Sequence, residues 1–201
     1  MIGQRSFSIS TLFETLWPED RPIAWVVFFA VLFYVFYAIF QLVAPSVAYF
    51  EDKVSLLYLP AFVRVLAVLV AGVAGALGIF IGHLMVYAVY KSDPWMFSLS
   101  ASVINALAPL CALIATRAIF RSSQLILLGW KPLFLVAFLS ALFAGLFKNT
   151  FWAISGLHEI ATLPHATANF LGNLFGILGG FVLFQWLRKS LPFQIVRKKR
   201  I

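Results

Sequence analysis

Residues 59–84 read LPAFVRVLAVLVAGVAGALGIFIGHL, and this stretch decides the fold. It is almost wholly apolar, yet it carries Arg64 near its start and Gly72, Gly75, Gly78 and Gly82 in its second half. With its continuation to Tyr90 it is about 30 residues long, too long for one ordinary crossing of a bilayer and too short for two. The glycines at its middle lower helix propensity and permit a tight turn. The reading is two short helices, 61–71 and 75–90, meeting in AGVAGALG, with one long tilted helix as the alternative.

Composition sets the solvent. The chain is 201 residues, 63% hydrophobic and 11% charged, against about 25% charged in soluble domains. A water-soluble body of this size could not hide so much apolar surface. The expectation is an all-α, polytopic membrane protein with about six transmembrane helices. Its parts are an N-terminal interfacial segment (1–22), a helical membrane domain (23–187) and a basic tail (188–201). Outside the central stretch the expected spans are 23–44, ended by Pro45, then 98–116, interrupted by Pro109, then 133–147, and finally 166–187. Thr11 and Glu14 fit a capping box that would start a short interfacial helix. The connection after Pro45 is read as a loop with an interfacial turn at 54–59.

The excess of fifteen Lys and Arg over seven Asp and Glu does not point to nucleic acid. Six of the fifteen, Arg188, Lys189, Arg197, Lys198, Lys199 and Arg200, follow Trp186. Such a cluster after a last span marks a cytoplasmic end and attracts anionic lipid head groups. With six spans and both ends inside, inner segments carry eleven basic residues and outer loops three, with Arg64 left in the membrane. Five spans with the N-terminus outside give ten against four, so charge fixes the C-terminal side and leaves the N-terminal side open.

Two small-residue tracks stand out, each spaced by four: Ala74, Gly78 and Gly82, and Gly172, Gly176 and Gly180. Both are candidate helix-packing faces, because close approach is the main attraction between helices in lipid. The candidate ligand-binding residues are Arg64, Asn105, Asn149, Asn169 and Asn173. An intramembrane arginine is costly unless it is paired, snorkels or faces a polar cavity. Snorkelling to the outer interface, or a salt bridge to Glu51 or Asp52, is weighed against anion binding above a floor of Asn169 and Asn173. The carboxamides could equally tie helices together. Lys148, Asn149 and Thr150 lie together at an outer helix end, as interfacial anchors or as part of a ligand mouth.

His83, His158, His165 and Glu159 lack helical ligand spacing, so no metal site is expected. Cys111 is the sole cysteine and is read as a small hydrophobe. The chain has no GxSxG, no HExxH, no phosphate-binding glycine loop and no acidic pair within a span. No enzymatic activity and no cofactor are expected.

The stretch LYLPAFVRVLAVLVAGVAGALGIFIGHLM, residues 57–85, resembles the membrane-associated sensor domains of bacteria, first class (MASE-one type). Those domains begin with a proline-led short helix, pass a glycine turn and continue into a PGVFLG-like helix, here ALGIFIG. The resemblance covers about a third of the chain and implies a bacterial inner-membrane sensory module. Such domains are usually fused to a cytoplasmic output domain, and none follows here. The expectation is therefore a stand-alone sensor-like or ligand-binding module acting through a separate signalling or transport partner. In size, charge and span number the chain is also similar to substrate-binding subunits of energy-coupling-factor vitamin transporters, whose motor docks on small-residue tracks that Ala74, Gly78 and Gly82 could mimic. A structural or assembly subunit of a membrane complex is the third class.

Overall fold

In the computed structural model, described for residues 21–43, 49–50, 54–90, 94–122 and 129–190, nearly everything is helical. The elements are α1 (Pro22–Val43), β1 (Tyr49–Phe50), β2 (Val54–Ser55), α2 (Pro60–Tyr90), α3 (Trp95–Phe120), α4 (Trp130–Ile154) and α5 (Leu163–Ser190). Five of these helices are long and apolar enough to cross a membrane. The N-terminal interfacial helix, the basic tail beyond Ser190 and the Glu51 and Asp52 partners lie outside the described residues.

At the turn expected over residues 54–59, a two-residue antiparallel ladder pairs Tyr49 with Ser55 and Phe50 with Val54, and bends at Leu56 and Leu57 and a turn at Leu59 lead into α2. The predicted interruption at Pro109 is absent: α3 runs through it. Proline removes one backbone N–H, so the Asn105 carbonyl loses its usual donor, a loss that membrane helices tolerate where neighbours or side chains re-satisfy it.

α2 covers the whole central stretch as one element, with an interior break at Gly72 (φ 52°, ψ −124°). That backbone region is costly for any residue with a Cβ. The path turns sharply there, because a Cβ built on Gly75 would lie 2.1 Å from the Ala67 carbonyl oxygen. On a straight helix residues 67 and 75 are about 12 Å apart. Residues 60–71 rise only about 18 Å, less than the roughly 30 Å hydrocarbon core, so they cannot form a span alone.

Both limbs of α2 contribute to the core, while Leu77, Ile81, Met85 and Val89 leave one face of the second limb exposed. Ala61, Val65 and Val68 pack with Ala112 and Leu113 of α3, Val136, Ala137 and Ala141 of α4, and Ile177 of α5. Phe62, Val63, Ala67, Ile79 and Val86 form a second core with Phe29, Phe33 and Tyr37 of α1. The outer face of α1 is also apolar: Ile23, Val27, Val31, Val35, Ile39 and Leu42 are exposed. A helix hydrophobic on both sides, one packed and one bare, is built for a lipid surround. The chain is thus a multi-pass helical membrane protein.

Glycine sets two of the closest contacts. A Cβ on Gly78 would sit 2.7 Å from the Val26 carbonyl oxygen, and one on Gly82 2.7 Å from that of Ala30. The Ala74–Gly78–Gly82 face is therefore covered by α1, and is not open for docking another protein. A Cβ on Gly176 would lie 2.0 Å from the Tyr58 carbonyl oxygen, and one on Gly180 2.2 Å from Cγ of Phe62. Tyr58 N–H donates to the Gly172 carbonyl at 3.0 Å. The track on α5 thus seats the chain entering α2, one turn before Arg64.

Candidate functional site

Arg64 is only 2% exposed, among the most buried side chains in the molecule. Snorkelling to the interface is excluded on that ground, since almost none of the side chain reaches the surface. It lies in the short first limb of α2, which the other helices surround. Arg64 Nη1 donates to Oδ1 of Asn105 on α3, and Nη2 donates to Oδ1 of Asn173 on α5. Its carbon centre stands 5.2 Å from the centroid of the Tyr58 ring, in cation–π range. Nε has no hydrogen-bond partner. Among the described residues the only carboxylate is Glu159, exposed in the connection between α4 and α5. Among the described residues, the cation is held by neutral groups alone.

The second limb of α2 joins the same cluster. Asn105 Nδ2 donates to Nε2 of His83 at 3.0 Å and to the Ala101 carbonyl at 2.8 Å. His83 Nδ1 faces Ser102 Oγ at 3.4 Å, and Ser102 donates to the Ser98 carbonyl at 2.7 Å. The directions are mutually consistent. Asn105 offers its oxygen to Arg64, so its amide faces His83, and His83 accepts through Nε2. That makes His83 neutral with its proton on Nδ1, aimed at the serine. The ring is stacked on Phe33 of α1, with centroids 5.4 Å apart. Arg64 and His83 would be about 28 Å apart on a straight helix, and both touch Asn105 only because α2 turns at Gly72.

Asn173 extends the polar track the other way. Its Nδ2 donates to the Asn169 carbonyl at 2.6 Å. Asn169 does not reach Arg64. Its Oδ1 accepts from Lys148 Nζ on α4 at 3.3 Å, and its Nδ2 has no partner. Of the five predicted ligand residues, the structure therefore brings Arg64, Asn105 and Asn173 together. It places Asn169 one turn away, and puts Asn149 on the last part of α4 with its Oδ1 unpartnered and no bond to the cluster. His83, Ser102 and Tyr58 were missed. A signal for Ser102 exists in the sequence, because Ser98, Ser102 and Asn105 recur at i, i+4 and i+7 on one helical face. Among the described residues no three His, Cys, Asp or Glu gather as a metal site.

An arginine has five N–H donors, and two are used here by Asn105 and Asn173, so the planar fork retains capacity for an acceptor. A buried cation without a counter-charge is a high-energy arrangement that an anion would relieve. No family model, curated protein or solved structure matches this chain.

Proposed function

We propose that this chain is a ligand-binding, sensor-like module of the bacterial inner membrane that recognises an anionic group at Arg64. The observation that carries this reading is the guanidinium of Arg64: buried, held among the described residues only by Asn105, Asn173 and Tyr58, and with Nε unpartnered. Asn105 and Asn173 hold the fork in place, as preorganised recognition requires. A change at the cation would reach α2, α3 and α5 together, the geometry a module needs if it passes a signal to a separate partner. The resemblance of residues 57–85 to bacterial sensor domains points the same way.

In this reading α2 is a re-entrant hairpin whose two ends face the same side, the C-terminal tail is cytoplasmic, and the connection at His158 is periplasmic. The basic cluster after Trp186 supports that orientation. Reporter fusions after Lys189 and near His158 are expected to read cytoplasmic and periplasmic, and a periplasmic C-terminus would overturn it.

Decanoate is a suitable probe, since it carries one carboxylate and a tail soluble among apolar helices. It is expected to raise the unfolding midpoint of the purified protein, and to do so much less in Arg64→Lys, which keeps the charge and loses the planar fork.

One observation favours a structural reading: the guanidinium already links α2, α3 and α5, so it could serve only as a tie. A pure tie predicts no response of the wild type to decanoate.

A further inference from the structure

A second site lies where α4 meets α5, and it begins with tryptophan. Trp95, Trp130 and Trp186 sit at or near helix ends and are 72%, 71% and 61% exposed, as residues of an interfacial belt are. Trp152 sits near the end of α4 and is 3% exposed, and its indole N–H has no acceptor. Belt anchoring does not account for a buried tryptophan with its one polar atom unused, because Trp normally finds a partner for that group.

Asn169 on α5 shares a contact to Lys148 with Trp152. It is 5% exposed, and its amide nitrogen has no partner. Its orientation is set by Lys148, whose ammonium donates to Oδ1 and so directs Nδ2 elsewhere. The same ammonium lies 4.8 Å from the centroid of the Trp152 ring. Lys148 thus touches both residues, and Trp152 packs with Ala168, the neighbour of Asn169. The cluster offers a cation and two buried N–H donors without acceptors.

We propose that Lys148, Trp152 and Asn169 form an oxyanion site for a phosphate group, separate from the one at Arg64. Two unused buried donors beside a cation match the acceptor-only chemistry of such a group. The phosphate could belong to an anionic lipid head group or to a soluble species, and the test distinguishes these sources.

The experiment measures thermal unfolding of the full chain in two settings. One compares phosphatidylcholine nanodiscs with and without phosphatidylglycerol; the other titrates inorganic phosphate into neutral detergent. A rise of a few degrees is expected at saturation. A response to phosphatidylglycerol alone assigns a lipid head group, and a response to inorganic phosphate assigns a soluble ligand. Trp152→Phe keeps an aromatic ring and removes the indole N–H, and Asn169→Leu removes the amide. Each is expected to weaken the response at least about fivefold. Arg64→Lys is expected to retain it, so this site and the Arg64 site fail or hold independently. The proposal is overturned if neither probe shifts the wild type, or if Trp152→Phe and Asn169→Leu respond as the wild type does.

Discussion

Replacing Gly176 with alanine is expected to lower the unfolding midpoint in detergent by about 6–12 °C, the equivalent of roughly 3 kcal/mol of overpacking. The added Cβ would lie 2.0 Å from the Tyr58 carbonyl oxygen and 2.4 Å from its carbon, and neither atom can rotate away. Relief requires the segment entering α2 to move off α5. That motion strains the Tyr58 N–H bond to the Gly172 carbonyl and shifts the ring beneath Arg64. Gly179 provides the control on the same helix. A Cβ there meets only Cδ2 of Leu59 at 3.8 Å, an ordinary contact. Gly179→Ala should therefore be neutral or raise the midpoint slightly, since alanine is better than glycine by about 1 kcal/mol inside a helix. Leucine at Gly176 should be worse than alanine, while Leu183→Ala, at an exposed position, should change little. Equal tolerance at Gly176 and Gly179 would mean that α5 does not seat the α2 entry.

The second large effect concerns the polar cluster as a unit. Arg64→Leu removes a buried charge but leaves two carboxamide oxygens, on Asn105 and Asn173, without their donor. Each orphaned acceptor costs about 1–3 kcal/mol, so the single variant should be destabilised even though it sheds a desolvated cation. Replacing Arg64, Asn105 and Asn173 together by leucine removes the donor and both acceptors. That triple variant should recover most of the loss, short of the cost of leaving the His83 Nε2 acceptor without the Asn105 amide, because apolar replacement of a buried polar set is often neutral or stabilising by about 1–4 kcal/mol. Additive loss across the three sites, read as a mutant cycle of unfolding free energies, would show that the residues do not act as one cluster.

Much of the fold is legible in the sequence because lipid imposes a simple rule: long apolar runs become helices. α1 ends two residues before Pro45, as the proline demands, and the glycine track on α5 faces a close neighbour. What sequence could not supply was the partner of each polar residue. Asn169 and Asn173 look equivalent at i and i+4, yet one turn of helix, about 6 Å, sends Asn173 to Arg64 and Asn169 to Lys148. His83 is invisible as a site residue until α2 turns at Gly72 and folds it back beside Asn105. Trp152 reads in sequence like any tryptophan at a helix end, and only its burial separates it from the belt.

Isothermal titration of decanoate into the purified wild type and Arg64→Lys tests the central claim most directly, because it measures anion recognition at the buried cation itself. The prediction is saturable binding to the wild type that weakens about tenfold or more in Arg64→Lys, the loss expected when a planar fork becomes a point charge. Equal affinity in the two proteins, or no binding to a folded wild type, would contradict it and leave Arg64 as a structural tie among three helices.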